Sequence, residues 1–447
     1  MIKTLNPFAN IGLNLTGTTA DLQATKASAE TPGAVERSES EDWVWPSVFL
    51  PVLDVDQAVS SFALHSRDGI DDVIHHFENA EQVDTRSQRN YHLNRMQELT
   101  EGRKCFVRFD QLSLRDQDYR LFPHDVVIVE VSQPEYPNDE LIRACRAVHE
   151  SGYELSVCDY VIESTHQPLL DCIDYMRVDF PRIARTHQRA IVQAGRHFGF
   201  APLAENLQTV DQFEDARQMD YSHFQGSFFR QPEENLDEVL PASRTLSLRL
   251  LQAINDQEFQ LDRIDELIRL DPAMAVRLLK YLNSPVFGFH RDVSSIRQAL
   301  ILLGHRPLRK WMSLVMVSEL SRDKPSILMQ TSLIRARFCE LVGERALPCD
   351  LAQECFLIGM LSLLDTILSQ SMERILSQMP LSDRIQLTLL NHDSSQRVVL
   401  DLVRAIENAD WSCISALSNR LKVDESVVFV DYHTSVRWAA EIVADMR

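Results

Sequence analysis

The side chains of this chain that could do chemistry do not form a recognisable catalytic motif. The dipeptide His392-Asp393 has the imidazole and carboxylate of a metal site, but no companion ligand stands at a useful spacing. A histidine at a helix end followed by an aspartate in a loop is the simpler interpretation. The motifs GxGxxG, P-loop and GxSxG are absent, so kinase, nucleotide dehydrogenase and serine hydrolase functions lack support.

Composition limits the compartment and the partners. Eight cysteines without a CxxC pair are typical of buried thiols in a reducing cytosol. The net charge of -20 repels phosphate backbones, so nucleic acid is not an expected partner. The sequence has no uninterrupted apolar run of about 18 residues, and its first 20 residues lack the apolar core of a secretory signal. We therefore predict a cytoplasmic protein without a membrane span or a cofactor.

The pattern of elements divides the 447 residues into two domains. Residues 1–44 are rich in Ser, Thr, Ala and Glu and predict a disordered acidic arm. Residues 46–230 alternate short apolar runs with helical stretches, which predicts parallel strands in βα units closing into a barrel. A polar, proline-bounded linker at 231–241 is followed by helices through residues 242–440. The predicted strands are 48–53, 106–109, 126–131, 155–158, 176–180 and a segment near Leu203.

The segment 271–304 has clear helix boundaries. Asp271-Pro272 predicts an N-cap with proline at the first helical position, and Ser295 with Gln298 fits a capping box. Gly304 is placed to end the second helix. The pattern DP...LL..LNS..FG...SSI..AL..LG resembles the HDOD domain, a helical bundle related to HD phosphohydrolases. The resemblance implies signalling and partner binding rather than catalysis.

The same resemblance implies that the bundle holds no metal. The early histidine position of HD phosphohydrolases falls at Thr331, and the place of their His-Asp pair reads Ser362-Leu363. None of these side chains replaces imidazole and carboxylate ligands. Asp365 is interpreted as a satisfied polar residue.

The N-terminal half resembles the EAL domain, the barrel that hydrolyses cyclic di-GMP. The segments GYELSVCDY, PLLDCIDYMRVDF, LAENLQT and DYSHFQGSFF carry this resemblance. With the second half, the chain is similar to two-domain EAL–HDOD bacterial signalling proteins. The resemblance places the signature glutamate of the family at Ala63 and its asparagine at Arg108, while a third ligand is kept as Glu130. Of the family's Asp-Asp pair, the first is Cys158 and the second is Asp159.

Further positions follow from the same resemblance. The family's lysine position carries Arg177, followed by Asp179. Glu205 is kept, the second glutamate of its segment is Gln208, and Gln225 of FQG is retained.

These positions predict a degenerate enzyme. An EAL domain holds divalent metal with carboxylates and an asparagine at the carboxyl ends of its strands, and that metal activates water. Ala63, Arg108, Glu130 and Cys158 together carry a charge of about zero. An arginine about 4 Å from a divalent ion would be repelled by about 8 kcal/mol at an effective dielectric of about 20. We therefore predict no metal and no phosphodiesterase activity.

Two arrangements of the arginines remain open at this point. Arg108 and Arg177 could contact phosphates directly as planar forks, with Asp179, Glu205 and Gln225 beside them. Alternatively, Arg108 pairs with Glu130, and Arg177 pairs with Asp179 or Asp159, which would fill the barrel mouth with internal ion pairs.

The leading hypothesis is a non-catalytic regulatory scaffold that binds other signalling proteins in a cyclic di-GMP-related pathway. The alternatives are a catalytically inactive cyclic di-GMP receptor and a weak cyclic di-GMP phosphodiesterase. Two surfaces of the helical half are candidate partner sites: an aromatic turn and a basic patch. Their residues are Tyr281, Phe287 and Phe289, and His305, Arg306 and Arg309. The sequence does not fix the oligomeric state.

Overall fold

The computed structural model describes residues 46–67, 93–132, 139–158, 167–232, 242–256, 263–264, 266–267, 298 and 305–446. The predicted arm at 1–44, most of the linker and nearly all of the segment 271–304 lie outside this part of the chain.

Eight strands form a closed barrel in sequence order. All neighbouring strands are parallel except that β1 runs antiparallel to both β2 and β8. The predicted barrel is confirmed, but the expectation of only parallel strands in βα units is wrong at its start. No helix separates β1 from β2, because the Asp54 carboxylate accepts from the amides of Asp56 and Ala58 and closes a tight turn. The strands are β1 (Ser47–Leu53), β2 (Val59–Ser66), β3 (Cys105–Phe109), β4 (Val127–Ser132), β5 (Glu154–Cys158), β6 (Tyr175–Asp179), β7 (Ala201–Leu207) and β8 (His223–Gly226).

Helices flank the barrel on the outside, with caps that the sequence encodes locally. The Asp110 carboxylate caps the first of them, and Thr209 forms a capping box with Gln212 at the start of the last. Gly199 ends the longest at a φ of 91°, which favours glycine. These helices are α1 (Gln111–Asp116), α2 (Asp139–Glu150), α3 (Gln167–Leu170), α4 (Arg185–Phe198) and α5 (Val210–Gln218).

The remainder of the described chain is helical. Its centre is formed by α8 and α9, which pack closely, with α15 and α13 against them. The helices are α6 (Ala242–Asn255), α7 (His305–Leu320), α8 (Ser326–Ala346), α9 (Cys349–Leu361), α10 (Leu364–Leu368), α11 (Met372–Leu376), α12 (Asp383–Leu389), α13 (Ser395–Glu407), α14 (Trp411–Leu421) and α15 (Glu425–Met446).

Among the described residues, one segment has the length and hydropathy of a membrane-spanning helix. This segment is Cys349–Leu368. Its most apolar 18-residue stretch has a mean hydropathy of 1.6, and 78% of that stretch is buried inside the protein. Three carboxylates interrupt the segment: Asp350, Glu354 and Asp365. Its apolar side chains belong to the protein core.

Two apolar clusters hold the structure together. A small one fills the lower barrel interior, where Val52, Ala63, Phe106, Ile128 and Leu203 meet and Tyr175 packs against them. The larger one surrounds the barrel and continues without a break into the helical region. The barrel and the helical region therefore share buried surface.

Candidate functional site at the barrel mouth

One buried arginine organises the upper interior of the barrel. The Arg177 side chain on β6 is 3% exposed and reaches residues of three other strands, β4, β7 and β8. Its Nη1 donates to Glu130 Oε2 at 2.5 Å, and its Nη2 donates to Glu205 Oε2 at 2.7 Å and to Gln225 Oε1 at 2.6 Å. The guanidinium carbon lies 5.5 Å from the centre of the Phe106 ring. The protein itself thus neutralises this cation, although its buried Nε has no hydrogen-bond partner among the described residues.

A second arginine completes the cluster from β3. Arg108 donates from Nε to Glu130 Oε1 at 3.0 Å and places Nη2 at 2.9 Å from the same oxygen. Burial alone would raise the pKa of Glu130, but Arg177 and Arg108 outweigh it and hold that pKa below its usual range. Both carboxylate oxygens of Glu130 are thus occupied by guanidinium groups.

The structure shows which side chains these two arginines contact. The Arg108–Glu130 pair is present as predicted. The predicted Arg177–Asp179 pair is wrong: the Asp179 carboxylate lies 3.3 Å from Arg182 Nε and accepts from Asn206 Nδ2 at 3.0 Å. Arg177 instead points across the barrel interior, where Glu130 and Glu205 offer two buried carboxylates. Asp159 lies outside the described residues.

The other predicted positions add no ligand for a metal. Ala63 lies in the lower apolar layer of the barrel, and the buried Cys158 thiol donates to the carbonyl of Val131. Gln208 is exposed just beyond β7. Among the described residues, no group of three or more His, Cys, Asp and Glu side chains is placed to hold a metal ion. The described donor set therefore does not fit a divalent cation, because its carboxylates Glu130 and Glu205 already neutralise Arg177 and Arg108.

Sequence reasoning missed His65 of β2. Burial, reinforced by the Arg177 charge, lowers its pKa to about 4, so this imidazole is neutral at neutral pH. Its Nε2 has no hydrogen-bond partner among the described residues. The alternation of side chains along a strand could have identified it. His65 is two residues after Ala63, so both side chains face the barrel interior.

A cavity of about 390 Å³ opens above this cluster, between the barrel and the helical region. Its barrel wall comes from β1, β2, β7, β8 and the residues after them, and its helical wall comes from α8, α15 and the end of α13. The lining is mixed, with aromatic, amide and charged side chains. It includes Phe49, His65, Glu205, Gln208, Gln225, Phe229, Arg230, Gln330, Thr331, Glu407, Asn408, Tyr432 and His433.

His433 of α15 joins the two halves at this cavity. Its Nε2 lies 2.9 Å from the Ser47 carbonyl oxygen at the start of β1, so that nitrogen carries the proton. The side chain is 2% exposed, and burial lowers its pKa to about 4. The folded protein therefore holds this histidine neutral.

We expect this burial to make the protein less stable at mildly acidic pH. Below pH 6.5 the unfolded chain protonates His433, while the folded protein does so only near pH 4, so stability is lost as the pH falls through this window. The contribution of His433 to this loss is about 2 kcal/mol between pH 8 and pH 5. Urea unfolding of the wild type and of a His433 variant at both pH values measures it as a difference, because His65, whose pKa is also lowered to about 4, titrates in both proteins. His433→Gln keeps an N–H donor but cannot titrate, and an unchanged pH dependence in that variant would contradict the assignment.

Arg335 lies against Ser362, one of the positions that the resemblance to HD phosphohydrolases implied. Its Nη1 donates to Ser362 Oγ at 3.0 Å, and its Nε and Nη2 form a fork on Glu407. Thr331 donates back to the Ile327 carbonyl of its own helix. Asp365 accepts from the amide and hydroxyl of Thr366, as expected for a satisfied polar residue.

The remaining candidates do not converge on a site. His392 and Asp393 follow the end of α12, as predicted, and both are exposed. His305 and Arg306 begin α7, whereas Arg309 donates to the Asp256 carbonyl at 2.8 Å and so serves an internal contact. The aromatic turn with Tyr281, Phe287 and Phe289 lies outside the described residues.

The fold and site define a two-domain chain, a closed eight-stranded barrel followed by an HDOD domain. Residues 240–391 match the family model of the HDOD domain, which confirms that prediction. Two curated proteins are similar along most of their length. Uncharacterized protein YuxH of Bacillus subtilis is 29% identical over 356 residues, covering 78% of this chain and 86% of YuxH. Cyclic di-GMP phosphodiesterase CdgJ of Vibrio cholerae is 29% identical over 343 residues, covering 76% of this chain and 79% of CdgJ.

Solved structures similar to part of this chain are EAL proteins and phosphodiesterases. An EAL domain protein from Listeria monocytogenes is 16% identical with a TM-score of 0.30, covering 41% of this chain and 87% of that one. BlrP1 of Klebsiella pneumoniae, in a calcium and cyclic di-GMP complex, is 18% identical with a TM-score of 0.31 and covers 40% of this chain and 54% of its own.

Proposed function

We propose that this protein is a non-catalytic regulatory scaffold in a cyclic di-GMP-related signalling pathway. The observation that supports this most strongly is the pairing of Glu130 with two arginines. Both of its oxygens accept from Arg108 and Arg177, at 2.5 to 3.0 Å. The negative charge of this carboxylate is therefore neutralised by guanidinium groups that lie where a cation would have to approach.

Freeing these carboxylates for a metal would be costly. Arg177 is buried and pairs with both Glu130 and Glu205. Turning both carboxylates to a metal would leave its charge uncompensated in the barrel interior. A divalent ion placed there would also meet two guanidinium groups at short range, each repelling it. These contacts support loss of metal-assisted hydrolysis.

The helical half of the chain also supports regulation through protein–protein contacts. The helical half contains an HDOD domain, and CdgJ is named a cyclic di-GMP phosphodiesterase, which supports the pathway but not a shared activity. In the described helical region the buried Arg335 contacts Ser362, where the resemblance to HD phosphohydrolases would place a metal ligand. The function therefore rests on protein surfaces, with other signalling proteins as partners.

A second candidate function is an inactive cyclic di-GMP receptor, supported by the exposure of Arg108. Its side chain is 50% exposed, so it could contact a phosphate while still paired with Glu130. The burial of Arg177 and its contacts with Glu130, Glu205 and Gln225 argue against the same role for that residue. A receptor of this kind would rely on Arg108 and not on the two arginine forks that the sequence suggested.

Incubating the purified full chain with cyclic di-GMP and Mg²⁺ or Mn²⁺ tests the proposal. We expect no linear dinucleotide, whereas turnover that disappears in Glu130→Gln would establish a residual phosphodiesterase. Calorimetric titration with cyclic di-GMP separates the other two functions. Binding that is lost in Arg108→Ala but kept in Arg115→Ala, an exposed arginine on α1, would favour the receptor over the scaffold.

A further inference from the structure

The helical domain covers one side of the barrel mouth. All barrel residues that line the cavity come from β1, β2, β7, β8, the residues that follow them, and Leu99. The His433 contact to the Ser47 carbonyl lies on this side, and Gln330 of α8 donates to Glu101 beside it. Arg108 on β3 lies outside the cavity lining and is half exposed. Access to the mouth therefore depends on where the helical domain sits.

The strongest polar contact across this boundary is made by Arg230. This residue ends a short 3-10 helix, Phe228–Arg230, that follows β8 almost directly. Its Nη1 pairs with Glu407, its Nη2 donates to Asn408 Oδ1 at 2.9 Å, and its carbonyl accepts from the Thr366 hydroxyl at 3.0 Å. The side chain is only 11% exposed, so water screens the pair weakly.

Glu407 is shared with an arginine of the helical domain itself. Arg335 Nε and Nη2 each donate to a different oxygen of this carboxylate at 2.7 Å. Without Arg230, the Arg335–Glu407 pair would remain neutral and doubly hydrogen-bonded. Arg230 in turn would gain water on leaving. The contact can therefore break without exposing a lone buried charge inside the helical domain.

The other ion pairs across the boundary are weaker. Arg67 at the end of β2 reaches Glu425 at 2.7 Å and Ser415 at 2.8 Å, and its guanidinium lies 5.7 Å from the Trp411 ring centre. Both charged side chains are about one third exposed, and pairs of this kind contribute about 1 kcal/mol or less. Arg437 and Glu98 are 3.6 Å apart and more exposed still.

We propose that Arg230, Glu407 and Arg335 form a latch that holds the helical domain over the mouth of the barrel. With the latch closed, the β1–β2 and β7–β8 side of the mouth is shielded and the two domains act as one body. When Arg230 leaves Glu407, the cavity opens and both of its walls become available for binding. This autoinhibitory contact does not depend on whether the barrel binds a nucleotide.

Hydrogen exchange of the full-length Arg230→Met variant tests the latch. We expect segments 205–208, 225–229 and 432–436 to exchange at least tenfold faster than in the wild type, with a larger radius of gyration in solution scattering. Segment 352–361 of α9 should exchange as before, because the Arg335–Glu407 pair stays intact. Arg67→Met, which breaks the exposed pair, should change the same segments less than threefold.

Two results would overturn the latch. If the segments at the mouth exchanged at the wild-type rate in the Arg230→Met variant, apolar contacts alone would hold the domains together. Equally faster exchange throughout the helical domain, α9 included, would mean that Arg230 supports folding rather than closure.

Discussion

Replacing Glu130 with glutamine is expected to lower the free energy of unfolding of the barrel by about 3–5 kcal/mol. Glu130 carries the negative charge that Arg177 and Arg108 share, and both of its oxygens accept from them. Glutamine has similar size but no charge, and its amide N–H₂ would face a guanidinium donor. Arg177, 3% exposed, would then keep Glu205 as its only described anionic partner.

Urea denaturation followed by tryptophan fluorescence and circular dichroism measures this loss. The matched control is Glu214→Gln, which breaks the exposed pair between Glu214 and Arg217 on α5. That change should cost about 0.5 kcal/mol or less. If Glu130→Gln unfolded at the wild-type urea concentration, the carboxylate would not be neutralising buried arginines, and the argument against a metal would lose its basis.

Replacing Gly359 with alanine is expected to lower the free energy of unfolding of the helical domain by about 3 kcal/mol. Gly359 of α9 lies against α8, where an added Cβ would stand 2.3 Å from the Arg335 carbonyl oxygen and 2.7 Å from the Ala336 nitrogen. Both atoms are backbone, so the two helices would have to move apart. That shift would also displace the Arg335 side chain from Glu407.

Gly343→Ala is the control for this prediction, because it adds the same methyl group to the same helix pair. Its Cβ would lie 2.8 Å from the Cys355 sulfur, which can rotate away, and 3.0 Å from the Cys355 Cβ, which requires only a shift of a few tenths of an ångström. The expected cost is about 1 kcal/mol. Equal thermal stabilities for the two variants and the wild type would show that α8 and α9 do not approach this closely.

The barrel could be predicted because its strands are apolar on both faces. Residues 126–131 and 155–158 are apolar apart from Glu130 and Ser156 and stand between helical stretches, which is typical of buried parallel strands. β2 was missed because its interior face carries Ser61 and His65 among few apolar residues. β8 was missed because it has only four residues, His223–Gly226, and its place is fixed by pairing with β7 and β1.

The residues of the site could be predicted only through the resemblance to the EAL domain. Arg108, Glu130, Arg177, Glu205 and Gln225, the positions that this resemblance implied, meet at the mouth. Their partners depended on the barrel interior, and so the Asp179 pairing was wrong.

The proposed latch could not be predicted from the sequence. Arg230 and Glu407 are 177 positions apart, and neither stands in a motif. Such a contact depends on how the two domains pack against each other, and the residues next to Arg230 and Glu407 in the sequence do not indicate it.

Titration of the purified protein with Mn²⁺, followed by the electron paramagnetic resonance of the free ion, tests the central claim most directly. Because guanidinium groups occupy the carboxylates of the mouth, we predict that the free Mn²⁺ signal grows with added metal as it does in buffer alone. Glu130→Gln should behave identically. Stoichiometric loss of the free signal in the wild type, restored in Glu130→Gln, would show a metal at Glu130 and contradict the claim.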